Sequence, residues 1–119
     1  MRRKTMLSRL SLLCSVFLLT ASVGMAQSTT QGAISGTVED ASGAAVPNAT
    51  VTVRNTGTNA DVHLTADSSG YFKAPLLDPG TYTVTIVAQG FGTDTETSVG
   101  VVVGQITTLS PKLDRKSVV

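Results

Sequence analysis

From residue 27 onward, apolar and polar residues alternate at a period of two, in short runs separated by glycine-centred turns. Side chains on an extended strand point to opposite faces in turn, so this period builds strands with one dry and one wet face. It does not fit the 3.6-residue stripe of a helix. Ile34, Gly36 and Val38 alternate with Ser35, Thr37 and Glu39. Ala49, Val51 and Val53 alternate with Thr50, Thr52 and Arg54, and Tyr82, Val84 and Ile86 with Thr81, Thr83 and Thr85. Shorter runs place Val62 and Leu64 around His63 and Phe72 and Ala74 around Lys73; Val99, Val101 and Val103 form a sixth run and residues 109–113 a seventh. The pattern predicts an all-β, seven-stranded antiparallel β-sandwich. Val51, Val53, Tyr82, Val84 and Ile86 belong to its core, and Thr50, Thr52, Thr83 and Thr85 face water. Threonine there keeps the β-branched preference for strands without exposing more apolar surface.

The turns carry their own chemistry. Asp40-Ala41-Ser42-Gly43 and Asp67-Ser68-Ser69-Gly70 are two copies of one turn. In each, the aspartate caps local amides and the glycine takes a positive φ. Residues 55–59 read as a hairpin loop, Asp78-Pro79-Gly80 as a tight turn, and Val103-Gly104-Gln105 as another. Pro111 falls on the inward face of the last run; lacking an N–H, it demands that this strand be an edge or be broken there.

Residues 1–26 are of another kind. Arg2, Arg3, Lys4 and Arg9 precede an apolar run over residues 10–23, followed by Gly24-Met25-Ala26. A basic start, a short apolar stretch and small residues before Gln27 make a secretory signal peptide. The run is about 14 residues, short of the roughly 20 of a membrane-spanning helix; an uncleaved N-terminal anchor is the alternative. The expected division is a signal peptide over residues 1–26, a linker over 27–31, a sandwich over 32–113 and a polar tail over 114–119. Localisation follows: exported, to the periplasm, the outer membrane or the extracellular space. Cys14, the single cysteine, lies in the leader, so the chain from Gln27 has no disulfide and no thiolate metal site. Of nine cations, four are in the leader, which leaves five against eight anions and a net charge of −3. This balance gives no basic patch for nucleic acid, no cationic amphipathic helix for a lipid surface, and no membrane span once the leader is cut.

Chemistry-bearing residues are few. His63 is the sole histidine and points to solvent, with no partner for a catalytic relay or a metal. Ser98 lacks the leading glycine of a nucleophile elbow. Asp40, Asp67 and Asp78 sit in turns, where capping explains them, and neither Asp-containing turn supplies the converging oxygens of a calcium site. No catalytic, cofactor-binding or metal-binding residue is predicted, and no cofactor. Asn48-Ala49-Thr50 is a formal glycosylation sequon that reads better as a turn into a strand. Past the leader the rings are Tyr71, Phe72, Tyr82 and Phe91. Phe72 and Tyr82 lie on the inward pattern, Phe91 seals an end of the sandwich, and Tyr71 remains as the one candidate ligand contact.

The ordered series Ile34-x-Gly36-x-Val38-x-Asp40-x-x-Gly43-x-x-Val46-Pro47-Asn48-Ala49-x-Val51-x-Val53 resembles the opening of carboxypeptidase regulatory-like domains. The stretch from Thr65 to Phe91, with Asp67, Gly70, Phe72, Pro75, Leu77, Pro79, Gly80, Tyr82 and Gly90, is similar to the rest of that pattern. The resemblance implies a transthyretin-like sandwich that is not itself an enzyme. Such domains follow the catalytic domain of some metallocarboxypeptidases, and they also stand behind the signal peptide of Oar-like TonB-dependent outer-membrane receptors. The position directly after a leader fits the second setting, either as a free-standing domain or as the first part of a longer reading frame. Related adhesin sandwiches cross-link a lysine on the first strand to an asparagine, and the first strand here has no lysine. The expected function is therefore a non-catalytic accessory module for interaction, docking or spacing at the bacterial cell envelope, with a protein partner there. The alternative is a carbohydrate-binding module of the starch-binding-like fold, with polysaccharide as ligand. A third reading, an enzyme fragment, requires catalytic residues from a neighbouring chain.

Overall fold

Strand alternation resolves into two facing sheets in the computed structural model, which describes residues 30–116. The expected signal peptide and its cleavage point lie outside the described residues. The elements are β1 (Gly32–Thr37), β2 (Glu39–Asp40), β3 (Thr50–Asn55), β4 (Asp61–Thr65), β5 (Tyr71–Leu77), β6 (Gly80–Val87), β7 (Asp94–Val101), β8 (Ile106–Leu109) and β9 (Lys112–Leu113). One sheet has the order β5-β1-β8, the other β4-β3-β6-β7, and β2 pairs with β9 beyond the first. Only Val38 separates β1 from β2, and only Ser110 and Pro111 separate β8 from β9. Taken as two interrupted strands, these leave the seven runs expected.

Pro111 is fully buried at the second interruption. Its carbonyl accepts from the Glu39 N–H at 3.1 Å, so the proline sits where no donor is needed. The antiparallel expectation holds for β1–β5, β3–β4, β3–β6 and β6–β7. It is corrected for β1–β8 and β2–β9, which run parallel. Alternation fixes which face a side chain takes but not the direction of the neighbouring strand. The last strand crosses from β7 to the opposite sheet, and there it lies alongside β1.

The predicted core residues Val51, Val53, Tyr82, Val84 and Ile86 are buried, packed with Ile34, Val38, Phe72 and Leu113. Each such side chain stabilises the fold by about 1.5–3 kcal/mol relative to exposure. On the wet face Thr50 is exposed, but Thr52, Thr83 and Thr85 are half-buried. The reason is their place on β3 and β6, the inner strands of the four-stranded sheet, where side chains on both flanking strands shield them. Val99 and Val101 face the core as expected, whereas Val103 is exposed in the turn after β7. Gly104, at φ 73°, and the bond from the Gln105 N–H to the Val102 carbonyl end the strand before Val103 can turn inward.

The paired turns form as their composition predicts. Asp40 Oδ1 accepts from the Ser42 N–H, the Ser42 hydroxyl and the Ala44 N–H at 2.9, 2.6 and 3.0 Å. Asp67 Oδ1 accepts from the Ser69 N–H, the Ser69 hydroxyl and the Tyr71 N–H at 2.9, 2.7 and 3.0 Å. Gly43 and Gly70 take φ of 86° and 79°. Asn55 Oδ1 caps Gly57 and Thr58 in the hairpin loop, and the Tyr82 hydroxyl donates to the Asp78 carbonyl at 2.7 Å, tying β6 to its own entry turn.

Candidate functional site

His63 is exposed on β4, with Nδ1 3.2 Å from the Thr52 hydroxyl. Beside it Asp61 accepts two bonds from Arg54, at 2.7 and 2.9 Å, which hold its carboxyl below the ordinary carboxylate range. Tyr71 is 44% exposed on the outer face of the three-stranded sheet, opposite Thr37. Among the described residues no second ring joins it: Phe72 and Tyr82 are buried, and Phe91 packs on the core at the far end of β6. Also among the described residues, no three His, Cys, Asp or Glu side chains come together as metal ligands. No helix there is long and apolar enough to cross a membrane.

Segments distant in sequence converge at one end of the sandwich. The turn after β2 is fixed by Asp40 and returns through the Val46 N–H to the Val38 carbonyl, leaving Pro47 and Asn48 at the rim. Asn48 takes φ 61°, a left-handed conformation that asparagine tolerates. The turn after β6, with Gly90 at φ 85°, swings Gln89 outward and sets Phe91 across the core. Asp114 and Arg115, expected in the polar tail, are tied to this turn: Gly92 N–H donates to the Asp114 carbonyl, and Arg115 bridges Phe91. The result is an open depression of about 520 Å³ lined by Asp40, Pro47, Asn48, Gln89, Phe91 and Arg115. Asp40 is held below its ordinary value of 3.8 chiefly by the Ser42 hydroxyl, then by the Ala44 N–H, with a smaller contribution from the Arg115 charge. A carboxylate so committed is a poor proton acceptor. The depression thus offers a guanidinium, two carboxamides and part of an aromatic ring. That set makes hydrogen bonds and apolar contact, and it lacks an acid–base pair. Strand alternation could not reveal it, because Asn48 reads as a turn residue, Gln89 as a loop and Arg115 as tail.

Residues 33–114 match the sequence profile of the carboxypeptidase regulatory-like domain. The chain belongs to this family. No curated protein matches its sequence. Among solved structures, this carboxypeptidase regulatory-like domain is similar to a minor pilin of the Gram-positive pathogen Streptococcus agalactiae. The TM-score is 0.61 at 12% identity, over 77% of this chain and 48% of the pilin. A protein from Bacteroides uniformis put forward as carbohydrate-binding gives 0.56 at 20% identity, over 68% of this chain and 40% of that one. Catechol 1,2-dioxygenase of Acinetobacter radioresistens gives 0.57 at 11% identity, over 75% and 53%. The domain spans about half the length of these structures or less. Their spread from pilin to dioxygenase establishes the sandwich and leaves function to the sites grafted on it.

Proposed function

We propose that the chain is an exported, non-catalytic carboxypeptidase regulatory-like module that interacts with, docks or spaces a protein partner at the bacterial cell envelope. The observation that carries this reading is where the titratable groups are used. The Asp40 and Asp67 carboxylates are filled by local donors, Asp61 is paired with Arg54, and His63 stands on a surface strand beside threonine. Asp61 and His63 share one face of β4, but the carboxylate is committed to Arg54, which leaves no free acid–base pair among these groups. The basic and apolar leader supports export, and the position of the domain behind it suits an N-terminal module of an outer-membrane receptor. The test is fractionation of the producing cell, with mass spectrometry of the chain and assays of peptidase and glycosidase turnover. Expected are an N-terminus at Gln27 in the periplasmic or surface fraction and no turnover. An intact Met1 in the inner membrane overturns the export reading, and turnover that survives His63→Ala overturns the non-catalytic one.

A second reading, a carbohydrate-binding module, is favoured by the end depression. Planar polar side chains beside a ring suit a sugar's hydroxyls and its apolar face. Tyr71 is the other ring available to a polysaccharide. Binding of oligosaccharides lost on Gln89→Ala and Arg115→Ala assigns the depression, and binding lost on Tyr71→Ala assigns the outer sheet face.

A further inference from the structure

A two-sheet sandwich leaves the outer edges of its end strands unpaired, and exposed edges promote unwanted pairing unless they are blunted. Here β5, β8, β4 and β7 are the edges. On β5, Pro75 and a register shift between Gly32 and Ile34 break the edge, with Leu76 at φ 56°. β8 has four residues and runs into Ser110 and Pro111. β7 carries a second register shift, between Tyr82 and Val84, with Ser98 at φ 57°. Its Asp94 and Glu96 lie opposite Ile86 and Val84, on the core-facing side, both half-buried. Asp94 Oδ2 is buried there without a hydrogen-bond partner. Carboxylates aimed inward at an edge disfavour addition of another strand, because pairing would bury them further. Three of the edges are therefore guarded by proline, bulge or charge.

β4 has no proline, no bulge and no carboxylate on its core-facing side. Its five residues, Asp61-Val62-His63-Leu64-Thr65, pair with β3 in unbroken register. The direction of its outward backbone groups follows from parity. The Asn55 N–H donates to the Ala60 carbonyl and the Ala66 N–H to the Ala49 carbonyl, so positions 60, 62, 64 and 66 bond inward to β3. The N–H and C=O groups of Asp61, His63 and Thr65 then point out of the sheet. On the core side of the same edge, Val62 is 38% exposed and Leu64 half-buried, a partly covered apolar pair at the open seam.

We infer that β4 is a self-association edge, which takes the β4 of a second copy of this chain in antiparallel register about a twofold axis at His63. The sequence of the strand is complementary to itself in that register. Val62 meets Leu64 of the second copy and Leu64 meets its Val62, so apolar faces apolar. Asp61 meets Thr65, so no like charges are opposed. The outward groups at 61, 63 and 65 fall on the hydrogen-bonded positions, and the two four-stranded sheets become one continuous sheet. His63 meets its own copy at the axis, on the wet face of the joined sheet. A ladder of this length belongs to the small, transient class of interfaces, below about 1,200 Å² in total. This inference extends the interaction reading to a specific partner and does not depend on export or on the end depression.

The test is sedimentation equilibrium at pH 8 on the chain as recovered from the producing cell, up to about 1 mM, the weak end of the affinity scale. It is accompanied by amide exchange of the same samples. Expected is a concentration-dependent dimer in which the Asp61, His63 and Thr65 amides slow as it forms. His63→Pro removes an outward N–H while leaving the β3 ladder intact, and Val62→Lys places a charge in the seam. Each should weaken the dimer about tenfold or more. Ile106→Lys, at another exposed apolar position, should leave it unchanged. If His63→Pro fails to fold, Val62→Lys and the exchange pattern decide. A monomer throughout, a dimer indifferent to the β4 changes, or protection at other edges instead overturns the inference.

Discussion

Ile86 and Val87 are neighbours in sequence and opposites in environment, which makes them a sharp test of the strand face. Ile86 is fully buried between the sheets and Val87 is 46% exposed. Truncating Ile86 to alanine removes three carbons from a closed core, about 2.4 kcal/mol of transfer free energy at roughly 0.8 per carbon. The void left behind adds to this, because close-packed neighbours relax only in part, and the total lies at about 3–4 kcal/mol, within the usual 2–5 range. Val87→Ala removes two carbons that are about half in water and leaves no closed void, for about 1 kcal/mol including the lost β-branch preference. A domain of this size has a stability of about 5–12 kcal/mol, so the first change takes away about a quarter or more of it and the second a small part. Urea unfolding followed by circular dichroism should show the midpoint falling roughly threefold further for Ile86→Ala than for Val87→Ala, with unchanged slope. In thermal melts the Ile86 variant should lose more than 10 °C, at about 4–8 °C per kcal/mol. Equal losses at the two positions, or a larger loss at Val87, would refute the assignment of β6's inward face.

Two further predictions rest on the paired turns. Asp40 and Asp67 are both held below the ordinary value of 3.8, each first by a serine hydroxyl and next by a backbone N–H. Their contribution to stability is therefore complete above that value and is lost as pH falls through the lower folded values. Asp67→Asn should remove part of the loss seen in urea midpoints as the pH is taken below the ordinary value of 3.8; a variant with the full acid dependence would show that this carboxyl is not among its sources. The two turn glycines should respond differently to alanine. A Cβ at Gly43 meets nothing within 4 Å, whereas one at Gly70 would stand 2.5 Å from the Val38 carbonyl oxygen. Both changes incur the left-handed penalty of about 1–2 kcal/mol, and Gly70→Ala should cost clearly more in thermal unfolding. Equal costs would mean that the two turns are not built against the core as described.

Strand faces and turn types were legible in the sequence because both are local. Val51 beside Thr52, or Asp67 two residues before Ser69, carries its meaning within a few positions. The partners of each strand were not legible. Alternation in residues 34–38 looks the same whether the neighbour is the antiparallel β5 or the parallel β8. Half-burial of Thr52, Thr83 and Thr85 follows from sheet order, which no single run encodes. The end depression was invisible for the same reason, since Asn48, Gln89 and Arg115 are ordinary surface residues until the turns after β2 and β6 bring them beside the last segment. Tyr71 is exposed because it alternates with the buried Phe72, and its isolation from other rings is a property of the assembled sheets.

The parallel pairing of β1 with β8 also sets an order on how the chain can assemble. A ribosome or an export channel releases residues from the N-terminus, so β1 emerges early and waits for a partner at the far end of the domain. The pairs β3–β4 and β6–β7 close over short loops and have their partners at hand. The four-stranded sheet is thus the part that can form while the chain is still emerging. The three-stranded sheet, which holds Ile34 and Phe72 against it, is completed only when residues 106–113 arrive. Because non-local closure is the slow step in folding, the final segment acts as a latch. Until it docks, β1 has an open flank, and the interval of greatest vulnerability to proteolysis and to pairing with other chains is set by the time needed to deliver the last few residues.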